Sequence, residues 1–335
     1  MDASGQPAPR GDDRAPPRGL ADGLDGLLGA LRWARLRLVL RAEETLALPP
    51  YAGSTFRGAF GHAFKRVACP LRRQCEGCAH RAVCVYAYVF ETPGQDGGSR
   101  LGRGAAIAHP FVLEPPPGTE VEPGEALELG LTLIGRAILL APYFLAACRE
   151  MAAQGLGRGR GRCRLERAVA EDPEDPGGRV VYEAAGDLLA PAVPSWSAHH
   201  LGSAPRPAPG RVMLEFLTPT RLRQDADLVV RPEFATLATA LLRRLSVLAE
   251  VHCGTRPGLD ARAILAPAAA VRVVSGDLRW HDWERYSARQ GARMALGGFV
   301  GRISFEGNLG PWWALLRLGE VLHVGKGTSF GLGQY

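Results

Sequence analysis

Between Arg32 and Ala42 the chain alternates Arg35, Arg37 and Arg41 with Leu36, Leu38 and Leu40. That period of two predicts a half-buried strand. Pro49 and Pro50 end it, and the period then changes. From Gly53 to Val67, a step of 100° per residue gathers Phe56, Ala59, Phe60, Ala63, Phe64 and Val67 on one face, predicting an amphipathic helix capped by Ser54 or Thr55. The opposite face holds Arg57, Gly58, Gly61, His62, Lys65 and Arg66. Each interior glycine costs about 1 kcal/mol against alanine, so a helix that keeps two of them is expected to offer a smooth surface to another backbone, of protein or of a ligand's phosphodiester.

Further along, 85–91 (VYAYVFE), 109–115 and 127–134 read as strands, 141–154 as a helix and 163–170 as a strand, the order βαββαβ with extra strand material. The proline- and glycine-rich residues 171–210 suit a linker, with 179–184 its one strand candidate. The second half repeats the order, with a strand over 212–223, a long helix over 232–253, a strand pair at 271–282 and 296–306, a helix opened by Pro311, and a glycine-rich end from His323 to Tyr335. The predicted fold class is α+β: two tandem ferredoxin-like (RRM-like) domains, residues 29–205 and 206–335, the first carrying a four-cysteine metal-binding insertion at residues 69–84. Residues 1–28, with prolines, glycines and charges of both signs, are expected to form a disordered leader.

Composition narrows the setting. No apolar run is long enough to cross a bilayer, and the leader lacks a signal peptide's apolar core, which predicts a cytoplasmic protein with no membrane partner. The net charge is +6, and of forty basic side chains only Lys65 and Lys326 are lysine. Both fall in the most motif-like stretches, as expected where a compact ammonium is wanted in place of a planar guanidinium. Seven cysteines in a cytoplasmic chain argue against a disulfide framework. Cys69, Cys75, Cys78 and Cys84, spaced x5, x2 and x5, instead suit a closed, structural thiolate site. Zinc leads, and an iron–sulfur cluster satisfies the same four ligands.

The last motif is Gly325-Lys-Gly327-Thr-Ser-Phe-Gly331-Leu-Gly333, whose glycines permit positive φ and close approach of backbone amides to phosphates. It has neither the Rossmann nor the Walker A spacing, so no nucleotide cofactor is expected. TPTRLR, RYSARQ, LGGFVGRISFEG and HVGKGTSFGLG, in that order, together with PYAGSTFRGAFGHAFKR upstream, resemble the CRISPR-associated RAMP endoribonucleases that process precursor CRISPR RNA. The resemblance runs from about Arg32 to Tyr335 and is strongest in the second half. It implies metal-independent cleavage within each repeat, the 2′-hydroxyl attacking the adjacent phosphate to leave a 2′,3′-cyclic phosphate and a 5′-hydroxyl. The implied catalytic residues are His62 as acid or base, Lys65 on the developing phosphorane charge and Tyr51 near the scissile phosphate, with His323 as the rival histidine. The implied RNA contacts are Arg57, Arg66, His323, Gly325, Lys326, Gly327, Gly331 and Gly333. The implied partners are repeat RNA, its mature product and subunits of a CRISPR effector complex. A non-catalytic RAMP subunit that holds guide RNA is the alternative.

Overall fold

The structure, a computed structural model, describes residues 18–71, 75–91, 108–118, 120–172, 174–186, 188–201, 210–224, 227–256, 258–282, 284–287, 292–295 and 297–335. The glycine-rich loop around 95–104 and the first seventeen residues of the expected leader lie outside them. No helix among the described residues is long and apolar enough to cross a membrane.

The chain enters by helix α1 (Arg18–Ala30) and continues into strand β1 (Arg32–Ala42), helix α2 (Gly53–Ala68) and the short helix α3 (Val85–Phe90). Strands β2 (Phe111–Glu114) and β3 (Ala126–Ile134), helix α4 (Ala141–Gln154) and strands β4 (Cys163–Asp172) and β5 (Asp175–Glu183) follow. The sheet runs β2-β3-β1-β4-β5, with Leu188–Leu189 at its edge and Trp196–Ser197 beside the start of β1. Its alternating leucines face one way. Leu36, Leu38 and Leu40 are buried under α2 and α4, and the arginines between them meet solvent and carboxylates such as Glu128 and Glu166.

The second unit contains strand β6 (Arg211–Thr220), helix α5 (Phe234–His252), the short helix α6 (Ala261–Leu265), strand β7 (Arg272–His281), the hairpin β8 (Glu284–Ser287) and β9 (Ala292–Ala295), strand β10 (Gly298–Glu306) and helix α7 (Trp313–Leu322). Strands β6, β10 and β7 form an antiparallel sheet in that order, and α5 and α7 bury Leu237, Leu241, Leu245, Leu316 and Leu318 in its core.

Four expectations differ from what is found. Residues 85–91, β-branched and aromatic, form a helical turn because Ala87, Val89 and Phe90 seat against the phenylalanines of α2. The closing strand of the second unit is not formed. The glycines instead fold residues 323–335 into a compact loop, which bonds the end of β6 at scattered points: the Leu217 amide donates to the Gln334 carbonyl, the Gln334 amide to the Thr218 hydroxyl, the Thr218 hydroxyl to the Gly331 carbonyl and the Gly333 amide to the Pro219 carbonyl. The polar stretch between the last two large strands contains the hairpin β8–β9. The expected disordered leader is helical from Arg18. Leu24, Leu27 and Leu28, with Leu31 beyond the helix, are buried in the second core, where α1 lies against α5, α6 and α7. Trp33 and Ile134 at the ends of β1 and β3 join that same core, so the two units share apolar material at their junction.

Leu27 is fully buried, so Leu27→Ala should destabilise the protein by about 2–4 kcal/mol through lost burial and the cavity left behind. Chemical denaturation followed by circular dichroism measures this; an unchanged midpoint would mean that α1 adds nothing to the core.

Candidate active site

Helix α2 starts without a side-chain cap, so neither Ser54 nor Thr55 plays the expected part. The glycine-rich loop of the second unit holds its start instead. The Tyr51 hydroxyl donates to the Phe330 carbonyl (2.7 Å), and a Cβ at Gly53 would collide with that same oxygen. One turn on, the Arg57 guanidinium stands 4.5 Å above the Phe90 ring and donates to Ser329 Oγ (3.4 Å). Its Nη2 lies 3.4 Å from His109 Nε2. Burial, then the charge of Arg57, pushes His109 down to about 4. The neutral ring thus donates from Nδ1 to the Val89 carbonyl and offers Nε2 to the arginine. Arg57 and Tyr51, expected at the RNA, are in fact committed to joining the two units. Burial raises the Tyr51 hydroxyl well above its ordinary value, so it serves as a donor.

The buried face of α2 is as expected at Phe56, Phe60, Ala63 and Phe64, with Phe60 and Phe64 packed on Phe90 and Phe144. Val67, expected on that face, is exposed. The other face opens on a cavity of about 450 Å³, walled by Ala59, His62, Lys65 and Arg66 of α2 and by Gln154, Gly155 and Arg160 from the end of α4 and the loop after it. His62 is exposed to this space. Arg66 approaches Glu150 (3.5 Å), and the Lys65 ammonium lies 5.2 Å from the Tyr86 ring centroid. The cavity therefore combines an imidazole with three cations. Tyr51 is not part of it, because His62 is nine residues beyond Gly53, about 14 Å along the helix axis.

The loop 325–333 owes its shape to its glycines. All four have φ between 76° and 83°. A Cβ at Gly331 would press on the Leu113 carbonyl and the Pro115 ring of the first unit. These glycines thus act first in packing backbone on backbone. Lys326 remains outside on the surface, and partial burial together with Arg223, Arg221 and Arg243 lowers its pKa, marking a cationic patch beside the loop. His323 is corrected from an RNA contact or rival catalyst to a structural residue. It is fully buried, with Nδ1 3.2 Å from the Leu332 carbonyl and Nε2 3.3 Å from Glu114 Oε1. Both ring nitrogens are thus held inside the protein, away from any RNA.

Two family models match the chain, one described as an N-terminal domain over residues 31–193, the other that of the CRISPR-associated endoribonuclease Cas6 over residues 214–335. Residues 214–335 are thus similar to the Cas6 endoribonucleases. An uncharacterized protein of Archaeoglobus fulgidus is 24% identical over 295 residues, spanning 85% of this chain and 91% of its own. A Thermus thermophilus Cas6 product complex superposes with a TM-score of 0.52 at 20% identity, over 90% of this chain and 97% of that one. A partial Cas6-RT-Cas1–Cas2 complex also gives 0.52, at 13% identity, over 91% of this chain and 45% of that chain. What these structures share with this chain is the fold, mixed α+β with antiparallel sheets. The resemblance to CRISPR-associated RAMP endoribonucleases read from the motifs is thereby shown.

The cysteines precede the second unit, between α2 and α3. Cys69 is buried, Cys75, Cys78 and Cys84 are half-buried, and none of the four is in a disulfide. Burial pushes Cys75 up, Lys65 opposes this, and Glu91, Cys84 and Cys69 add to it. Among the described residues no three ligating side chains come together as a metal site. The cavity-lining cation not singled out from the sequence is Arg160. Its signal is GLGRGRGR, where arginines alternate with glycines directly after a helix.

Burial alone would raise the Glu114 carboxyl, but the hydrogen bond and charge of His323, with Arg35, hold it below its ordinary range. A depressed carboxylate contributes stability that is present above the unfolded value and is lost as pH falls through the folded one. Thermal melts should therefore show the parent well above Glu114→Gln at neutral pH, with the gap closing below about pH 4.5. A gap independent of pH would show that the charge of Glu114 contributes nothing.

Proposed function

We propose that this protein is a metal-independent endoribonuclease that binds CRISPR repeat RNA and cleaves the precursor once in each repeat, with the cavity under α2 as its active site. The fold is read as two tandem ferredoxin-like domains, 29–205 and 206–335, with α1 joining the second through its core. The carrying observation is that His62 and Lys65, singled out independently in the sequence, line one open cavity together with Arg66.

The reaction needs no external nucleophile. The 2′-hydroxyl loses its proton and attacks phosphorus, and the bond to the 5′-oxygen breaks as that oxygen gains a proton. The products are a 2′,3′-cyclic phosphate and a 5′-hydroxyl. His62, exposed at the cavity, supplies the group able to exchange protons, a role worth roughly 10²–10⁴ in rate. Lys65, one turn along on the same face, meets the charge that grows on the phosphorane oxygens. Arg66 and the patch around Lys326 hold flanking phosphates, a contribution that weakens with salt. Mature guide RNA and effector subunits are the further partners of this reading.

His62→Ala should slow single-turnover cleavage of the repeat by at least a hundredfold in the presence of chelator, with repeat affinity unchanged. Cleavage at the parental rate would overturn the assignment of His62, and a parent that binds but never cleaves would favour the non-catalytic subunit.

We further propose that Cys69, Cys75, Cys78 and Cys84 take up zinc or an iron–sulfur cluster as a structural element, supported by the spacing and by the mutual influence of Cys69, Cys75 and Cys84. Anaerobically purified protein should contain one zinc or one cluster, with Cys78→Ser lowering both content and melting temperature. Elemental analysis showing neither metal would reduce the cluster to free thiols.

A further inference from the structure

The loop from Gly155 to Arg162 faces α2 across the cavity and is built with unusual firmness for a surface turn. The Leu156 amide donates to the Gly161 carbonyl (2.8 Å) and the Arg158 amide to the Ala47 carbonyl (2.9 Å), while the Leu156 side chain is buried. The Arg160 carbonyl lies so close to Gly155 that a Cβ there would collide with it. Each end of the loop is thus fixed to the body of the protein.

Within it Arg160 has a φ of 54°, in the left-handed region. Apart from His323 it is the only non-glycine with positive φ among the described residues. A side chain there crowds the following carbonyl, which is why glycine is the usual occupant. Here glycine stands at 155, 157, 159 and 161, yet position 160 carries one of the longest side chains available. No folding role accounts for it. Among the described residues the Arg160 side chain is exposed and makes no ion pair or hydrogen bond. It does line the cavity, on the wall opposite His62 and Lys65. Strain retained at a residue with no structural partner, beside a candidate site, points to a task at that site.

We infer that Arg160 is a catalytic residue of the proposed reaction, its guanidinium engaging the non-bridging oxygens of the scissile phosphate from the side opposite α2. The inference rests on the reading of the cavity as an active site. A planar guanidinium meets two phosphate oxygens at once, and a rigid loop presents it without reorganisation as charge develops. Lys65 and Arg160 then clamp the phosphorane between two walls, and the imidazole of His62 exchanges protons at its edge. Arg158, on the same loop but outside the cavity lining, is not required.

The test is Arg160→Gly, which relieves the backbone while removing the side chain. We expect a melting temperature at or above the parent's, a single-turnover cleavage rate lowered about a hundredfold, and affinity for a repeat carrying a 2′-deoxy block at the cleaved nucleotide changed less than tenfold. Arg158→Ala should cleave within about twofold of the parent. Arg160→Lys, which keeps charge but loses the fork, should fall between parent and Arg160→Gly. Parental cleavage by Arg160→Gly while His62→Ala is inactive overturns the role of Arg160 alone. Parental cleavage by both removes the cavity as the active site. A rate loss matched by an equal loss of affinity for the blocked repeat would make Arg160 a binding residue and would equally overturn the inference.

Discussion

The position of the cavity depends on one carbonyl group. The oxygen of Phe330 lies against Gly53 at the start of α2 and accepts the Tyr51 hydroxyl, and Arg57 covers the same loop from one turn further on. A helix whose first turn is fixed in this way keeps its later turns in a fixed direction. His62 and Lys65 occupy those later turns. The second unit therefore acts on the first less through its sheet than through a loop packed against the start of the helix. The buried pair of His323 and Glu114 lies just behind this contact and joins the root of the loop to β2.

Much of this was legible in the sequence because two periods govern it. The alternation from Arg32 to Ala42 and the phenylalanine stripe of α2 follow from which faces are buried, and both are found. Burial on one face does not fix conformation in short apolar runs, which is why 85–91 reads as a strand and folds as a helical turn. Residues 18–30 carry leucines with helical spacing, but the prolines and charges just before them mask that signal.

The candidate site residues divide on a similar line. That His62, Lys65 and Arg66 share one face was legible because a helix puts neighbours three and four apart on one side. The inter-unit contacts of Tyr51, Arg57 and His323 were not legible, because their partners, Phe330, Ser329 and Glu114, lie more than 200 residues away in the chain, and no local pattern carries such a contact. The glycines of the C-terminal motif were correctly seen as sites of close approach, but what approaches is protein backbone.

Helix α1 has a consequence for how the chain is made. It is synthesised before the helices it packs on: Leu24, Leu27 and Leu28, with Leu31 just beyond the helix, are buried in a core built largely by α5 and α7, with the short α6 alongside. The first unit can assemble its own sheet while α1 waits with its apolar stripe uncovered. The final docking is a long-range event, slow by its topology and open in the interval to association between nascent chains.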